Sequence, residues 1–221
     1  MTKPMARVYI DGFNLYRRCL QGNPELKWLN VLALAERLLP DHTIDQVHYF
    51  TANIKPGASV DLNAPVRQQT YLRALRTLEP RVVIHHGKFR LDRRLMPALP
   101  IRVVVSTRKF ETVYVRKTEE KGSDVNLATR MLADAFLGKA DLFVALTNDS
   151  DQVGPLTMMK NELGFRIGII FPLSSEKSVK ELARIPPDVK AHIMRVDLEA
   201  SQFPDNMTDK IGLFFRPPAW T

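Results

Sequence analysis

Four aspartates stand where runs of regular structure begin or end. They are Asp11, Asp124, Asp149 and Asp151. Asp11 follows the apolar run at residues 7–10, and two of the others follow the apolar run Leu142–Leu146. Asp124 comes after residues 121–123, at the start of a helical pattern. Ligands bind at the carboxyl ends of strands in open α/β sheets. We therefore expect the four carboxylates to converge in one cleft.

Converging carboxylates have a specific chemistry. Two of them a few ångströms apart repel by roughly 4 kcal/mol at an effective dielectric near 20, so a cation or a shared proton must be present. Mg²⁺ and Mn²⁺ prefer such oxygen ligands, and they can activate a water for attack on a phosphodiester. The competing interpretation is that residues 147–151 form only a polar turn that caps the next helix.

Each acidic residue has an expected role. Asp11 and Asp149 are expected to bind a metal ion directly. Asp124 and Asp151 are expected to complete its shell through a side chain or a water. Asp149 and Asp151 are two residues apart, and such residues point the same way in an extended backbone, so both could face one ion. Asn14 is added to this catalytic set, where its amide would hold a water or a phosphate oxygen. Its alternative role is a hydrogen bond within its own turn.

The rest of the chain alternates strands and helices. Apolar, β-branched runs predict core strands at residues 7–10, 46–54, 82–84, 142–146 and 166–171. Helical spacing appears at residues 28–39, 62–78, 124–136 and 155–163. This order predicts an α/β fold, a three-layer sandwich with a mainly parallel five-strand sheet. Residues 91–100 are predicted as a loop. Residues 101–105 and 112–115 are predicted as a β-hairpin inserted before the fourth core strand.

Composition limits the class of protein. The 221 residues are 45% hydrophobic, enough for one core with a small appendage. The net charge of +8 suits a polyanionic partner such as nucleic acid, although it can also serve solubility alone. Cys19 is the single cysteine, which indicates a reducing compartment. No apolar run approaches a membrane span of about 20 residues, and no signal peptide is visible. We expect no membrane contact and a cytoplasmic location.

A basic and aromatic segment surrounds the predicted hairpin. Its cations are Arg90, Arg93, Arg94, Arg108, Lys109, Arg116 and Lys117, and its rings are Phe89, Phe110 and Tyr114. Cations that meet phosphates and rings that stack on bases make a surface for single-stranded RNA. The alternative is a solvated basic face whose rings pack inward. His85 and His86 point to opposite faces of a strand and are predicted to be structural.

Three motifs carry a family resemblance. Asp11-Gly-Phe-Asn14, residues 119–124 (Glu-Glu-Lys-Gly-Ser-Asp) and residues 147–151 (Thr-Asn-Asp-Ser-Asp) resemble the signatures of the NYN domain family, within the PIN-like nuclease superfamily. The match runs from about Val8 to Phe171, and residues 201–220 resemble an extension found in one bacterial branch. The resemblance implies a PIN-like sheet and Mg²⁺- or Mn²⁺-dependent cleavage of RNA, with the four aspartates as metal ligands. It also implies an NYN domain at residues 1–173, with residues 174–221 packed on it.

The sequence thus predicts a metal-dependent ribonuclease, a hydrolase of phosphodiester bonds. The alternatives are a catalytically weak PIN-like RNA-binding or assembly module and a toxin-like nuclease held by a partner. An aspartyl-phosphate phosphatase is disfavoured because Phe13 occupies the place of its second acid. Dinucleotide binding is disfavoured because Gly12 stands alone after the first strand. The class of RNA, DNA as a substrate and homo-oligomer formation stay open.

Overall fold

A six-stranded parallel sheet forms the centre of the molecule. The computed structural model describes residues 2–55, 61–104, 109–172 and 179–221. The sheet strands are β1 (Met5–Asp11), β2 (Thr43–Thr51), β3 (Val82–His86), β8 (Leu142–Leu146), β9 (Ile167–Phe171) and β10 (Val189–His192). Their order is β10-β9-β8-β1-β2-β3, with every neighbouring pair parallel. The chain is therefore an α/β protein.

The sheet has one strand more than the five expected from the sequence. β10 pairs with β9 at the edge, with Val189 opposite Gly168 and His192 opposite Phe171. Its four residues are exposed or half-buried, because an edge strand has a neighbour on one side only. It therefore lacks the continuous apolar run of a buried strand, which is the pattern that predicts the other strands of the sheet.

Seven α-helices connect or cover the described strands. They are α1 (Gly12–Leu15), α2 (Val31–Leu38), α3 (Ala64–Arg76), α4 (Ser123–Phe136), α5 (Val153–Thr157), α6 (Lys180–Ala183) and α7 (Arg195–Glu199). Wider π-helical turns at Tyr16–Leu20 and Met158–Glu162 continue α1 and α5, and Ser150–Gln152 is a 3₁₀ turn. Asn30 caps the start of α2, because its side chain accepts hydrogen bonds from the backbone N–H groups of Leu32 and Ala33.

Hydrophobic cores lie on both faces of the sheet. Alternation along β1 sends Val8 and Ile10 into one core, with Trp28 and residues of α2 and α3. Tyr9, between them, belongs to the other core, with residues of α4 and β9. This two-sided burial explains the long apolar runs of the central strands.

Three antiparallel pairs lie outside the sheet. β4 (Lys88–Pro97) pairs with β7 (Thr112–Lys121), β5 (Val103–Val104) with β6 (Lys109–Phe110), and β11 (Asn206–Asp209) with β12 (Gly212–Phe215). Residues 91–97 are thus strand, where the sequence predicted a loop. The partner of β4 is distant in sequence, and both faces of the ribbon are largely exposed, so no local alternation reveals it. The predicted hairpin is wrong in its pairing, because residues 112–115 pair with residues 94–97 of β4 and residues 103–104 pair with residues 109–110. Residues 106–108 of its predicted turn lie outside the described residues.

Across the described ranges, none of the helices has the length and apolar character that a membrane crossing requires.

Candidate active site

The site lies at the point where the order of the strands in the sheet reverses. β1 lies between β2 and β8, so the chain order reverses at this point. Open α/β sheets form a crevice at the carboxyl ends of such strands. Asp11 is the last residue of β1, and Asp149 comes three residues after β8. The topology therefore brings these two carboxylates to one crevice.

Asp11 is held at the start of α1. Its side chain accepts the backbone N–H of Asn14 at 2.9 Å and the Thr147 hydroxyl at 3.3 Å. The next residue must be glycine, because a Cβ on Gly12 would lie 2.6 Å from the carbonyl oxygen of Phe50 and 2.7 Å from the ring of Tyr49. The missing side chain allows α1 to lie directly on β2.

The structure brings Asp11, Asp124 and Asp149 together. One carboxylate oxygen from each lies within 4.8 Å of the other two, so the group has a geometry that can hold a metal ion or share a proton. Burial and the charges of Asp11 and Asp149 raise the pKa of Asp124 to about 6. Burial also raises the pKa of Asp11, with the Asp149 charge adding to the shift. Mutual repulsion in a partly desolvated crevice is the physical cause.

The other two residues of the expected set lie differently. Asp151 is exposed and outside the three-carboxylate group, because the backbone from Ser150 to Gln152 makes a 3₁₀ turn. The extended geometry expected for this segment is therefore wrong. The N–H of Asp151 donates to Asp149 at 3.0 Å. Asn14 accepts the backbone N–H of Asn148 at 3.1 Å, which joins α1 to the loop after β8.

Two cavities flank α1. The first, which we name the acidic cavity, has a volume of about 820 Å³ and contains Asp11, Asp124 and Asp149. The second, which we name the aromatic cavity, has a volume of about 570 Å³. Its rings are Phe13, Tyr16, Tyr49, Tyr71, Phe89 and Trp220. Phe13, Arg17 and Gln21 border both cavities. Sequence reasoning missed the aromatic cavity because its walls come from segments between residues 12 and 220.

A buried charged network was also missed. Asp134, on α4, accepts the Tyr9 hydroxyl at 2.9 Å and pairs with Arg130 at 2.8 Å and Arg7 at 3.2 Å. His48 lies 3.2 Å from the same carboxylate, and burial lowers its pKa to about 3. The neutral ring of His48 also meets His85, with 2.9 Å between their nitrogens. An aspartate inside a helical pattern gives no sequence signal of this kind.

The expected RNA surface is partly described. Phe89 packs edge-on against Phe13 with ring centres 5.6 Å apart, so it belongs to the aromatic cavity. Tyr114 and Phe110 are exposed, as are Arg90, Arg93, Arg94 and Arg116. Arg108 and the side chain of Lys109 lie outside the described residues. RNA as a partner stays a prediction.

Comparison with known proteins gives a family. No model of a known protein family matches this chain. However, 6-hydroxy-3-succinoylpyridine 3-monooxygenase HspA of Pseudomonas putida (strain DSM 28022 / S16) is 31% identical over 219 aligned residues, which span 90% of this chain and 70% of the relative. The chain belongs to the HspA family.

One solved structure supports the fold of this HspA-family chain. It is the crystal structure of a Vibrio parahaemolyticus protein of unknown function, with a TM-score of 0.52 and 13% identity. The similarity covers 87% of this chain and 94% of that protein. At this identity the likeness concerns the fold alone.

Membership of the HspA family overturns the predicted reaction. The named relative is a monooxygenase, so the prediction of a ribonuclease and hydrolase is wrong, and so is the alternative of a weakly active RNA-binding module. The Mg²⁺ or Mn²⁺ cofactor is wrong with it, because it was inferred for phosphodiester hydrolysis. Carboxylates at strand ends are placed there by the fold, and one fold serves many chemistries. The pattern of aspartates correctly predicted a cleft at the strand ends, but it did not determine which reaction takes place there.

Proposed function

We propose that this HspA-family chain is a monooxygenase that acts on a small aromatic or heteroaromatic compound. The proposal is carried by the 31% identity to HspA over 90% of the chain. In such a reaction the O–O bond of O₂ breaks, and one oxygen atom forms a bond to the substrate. The other atom leaves as water, which requires two electrons and two protons from an external reductant.

The reductant belongs to the class of reduced nicotinamides or reduced flavins, which carry two electrons. A bound flavin nucleotide needs a site for its phosphates. The turn after β1 has Gly12 alone, without the glycine-rich pattern of dinucleotide sites. The acidic cavity also contains Glu120 and the cations Arg17, Arg18 and Lys121, but the three clustered aspartates lie at the end of β1 and repel a phosphate there. The described residues thus do not fit a bound flavin nucleotide there. The reductant is a cosubstrate in this proposal.

The acidic cavity supplies the polar groups of the reaction. Ionised carboxylates are hydrogen-bond acceptors only, so Asp149 and Asp124 accept a hydrogen bond from a substrate O–H or N–H group, directly or through a water. Transfer of that proton to the carboxylate makes the aromatic ring richer in electrons and easier to oxygenate. Asp11 contributes mainly by holding α1, since its two oxygens already accept Asn14 and Thr147.

The test is oxygen incorporation with 6-hydroxy-3-succinoylpyridine as the substrate. The protein is incubated with this compound, ¹⁸O₂ and a reduced nicotinamide, with and without added flavin. We expect substrate-dependent oxygen uptake and a product that carries one ¹⁸O atom. Asp149→Asn should lower the rate by about 10²-fold or more, the range of a lost general base.

Asp41→Asn is the matched control, because Asp41 is exposed and lies just before the amino end of β2, whereas the crevice lies at the carboxyl ends of the strands. It should keep the wild-type rate. An absence of substrate-dependent oxygen uptake with every reductant, or ¹⁸O that comes from water, would contradict the proposal.

The NYN resemblance keeps a place in this proposal. We infer that it reflects a shared three-layer α/β architecture, and the cores on both faces of the sheet support that inference. It carries no nuclease activity with it. Homo-oligomer formation stays a prediction.

A further inference from the structure

The aromatic cavity has the size and surface of a small-molecule site. Its volume of about 570 Å³ lies within the usual range for such sites, which are mostly apolar with a few placed polar groups. Aromatic rings from β2, α3 and the C-terminal turn Pro218–Trp220 form its walls. Flat rings on several sides favour a flat aromatic ligand.

Two residues of this cavity offer hydroxyl groups that have no partner among the described residues. Tyr49 and Thr51 are only 6% and 4% exposed, and within the described ranges neither hydroxyl makes a hydrogen bond. They are two residues apart on β2 and therefore share one face. By contrast, the Tyr71 hydroxyl donates to the carbonyl oxygen of Leu29 at 2.9 Å. Because both residues line the cavity, their hydroxyls are available to a ligand or to water.

The cavity also has a positive border. Arg17, Lys27 and Arg67 line it, and among its described residues Asp61 is the one carboxylate, which pairs with Arg67. The Nζ of Lys27 lies 5.5 Å from the centre of the Tyr16 ring. Among the residues that the structure describes, Arg17 forms no ion pair. The excess of cations favours an anionic ligand.

We propose that the aromatic cavity binds the substrate, and that the substrate class is a small aromatic carboxylate. The ring lies among the aromatic side chains, a polar ring substituent meets Tyr49 and Thr51, and the carboxylate meets Arg17. The Tyr49 ring lies against Gly12, next to Asp11, so this end of the ligand is the end nearest the three carboxylates. The assignment of a substrate rests on the proposed monooxygenase function, whereas binding itself does not.

The test compares three probes: a polar aromatic acid, a compound that lacks its polar ring groups, and a compound that lacks its carboxylate. They are 6-hydroxy-3-succinoylpyridine, its phenyl counterpart 4-oxo-4-phenylbutanoate, and 5-acetyl-2-hydroxypyridine, which lacks the carboxylate. Binding is followed by tryptophan fluorescence, because Trp220 lines the cavity while Trp28 is buried in the core. We expect the two acids to bind more tightly than the neutral ketone.

Variants assign the contacts. Arg17→Ala should weaken both acids by about 10-fold or more, the effect of a lost charged hydrogen bond, and leave the ketone unchanged. Tyr49→Phe should weaken the two hydroxypyridines more than the phenyl compound. Arg76→Ala, on the same helix as Arg67 but outside the cavity, is the control and should change nothing.

Three results would overturn the assignment. One is no binding of any probe at millimolar concentration, and another is an equal loss of acid and ketone affinity in Arg17→Ala. The third is a loss of probe affinity in Arg18→Ala with no loss in Tyr49→Phe. Arg18 lines only the acidic cavity, so that result would place the ligand there.

The two proposals fail in different ways. Acid binding with the expected variant pattern, but without oxygen uptake, would reject the monooxygenase function and keep the site. Turnover whose KM is unchanged in Arg17→Ala and Tyr49→Phe would reject the site and keep the function.

Discussion

At the scale of single residues, Asp134 is the most heavily bonded side chain of the described core. It is fully buried and meets Tyr9, Arg7 and Arg130. Asp134→Ala removes the shared carboxylate, although Arg7 keeps its ion pair with Asp45 at 2.7 Å. Breaking a buried pair in this way costs about 3–5 kcal/mol. We expect that loss in the free energy of unfolding measured with urea.

Glu36→Gln is the control for Asp134→Ala. Glu36 pairs with Arg81, but both side chains are nearly half exposed, so the change should stay within about 0.5 kcal/mol. A loss below about 1 kcal/mol in Asp134→Ala would show that the network adds little to stability.

His48 predicts how stability depends on pH. Burial lowers its pKa to about 3, against about 6.5 in the unfolded chain. Its contribution is complete above pH 6.5, and it is lost as the pH falls toward 3 because the unfolded state then binds the extra proton. The slope is up to about 1.4 kcal/mol per pH unit. In urea unfolding between about pH 6 and 4.5, His48→Gln should take up about one proton fewer on unfolding than wild type, so its unfolding free energy should depend less steeply on pH. The exposed His86→Gln should change this pH dependence less. Equal slopes in His48→Gln and wild type would contradict this assignment.

At the scale of elements, α1 forms part of the wall of both cavities. Its contact with β2 requires glycine at position 12, since a Cβ there meets backbone and ring atoms at 2.6–2.7 Å. Gly12→Ala should therefore displace α1. We expect a loss of about 1–3 kcal/mol in unfolding free energy, together with weaker binding of aromatic acids. Unfolding with urea and probe fluorescence measure the two effects.

The matched control for that change is Gly154→Ala. Gly154 lies in α5 with nothing within 4 Å of a built Cβ, and it is exposed. Alanine is the better helix former, so this variant should be neutral or more stable by up to about 1 kcal/mol. Similar losses in the two variants would refute the role given to the α1 contact.

At the scale of the whole molecule, the C-terminal residues complete both the core and the aromatic cavity. Trp28 packs against Phe203, Phe214 and Trp220, with ring centres 5.8–6.4 Å apart. The Trp28 indole donates to the carbonyl oxygen of Pro204 at 2.8 Å. Residues that the sequence analysis assigned to an extension thus share the core of the sheet, and β10 is a strand of the sheet itself.

Trp220→Ala tests this arrangement. It removes a ring that is only 8% exposed, so we expect a loss of up to about 3–5 kcal/mol in urea unfolding and weaker binding of aromatic acids. Phe215→Ala is the control, because that ring is 55% exposed. It should have little effect on either quantity. Unchanged binding in Trp220→Ala would show that the C-terminal turn is not a wall of the site.

The sequence by itself determined the α/β class and the meeting of three of the four expected acids. β1, β8 and β9 are buried on both faces, so their apolar runs are visible locally. Asp11 is the last residue of β1, and Asp149 comes three residues after β8. The rule that ligand sites lie at strand ends then brought them to one crevice. Such features depend on a few neighbouring residues, which is why they can be predicted.

Only the tertiary structure decided the rest. The β4–β7 pairing, the edge strand β10, the network at Asp134 and the aromatic cavity all join residues far apart in the chain. Their signals are absent from any local window, because each partner alone resembles an ordinary surface or helix residue. The reaction was mistaken for a related reason. Three carboxylates in a crevice suit several chemistries, and the aromatic cavity next to them is lined by segments far apart in the chain.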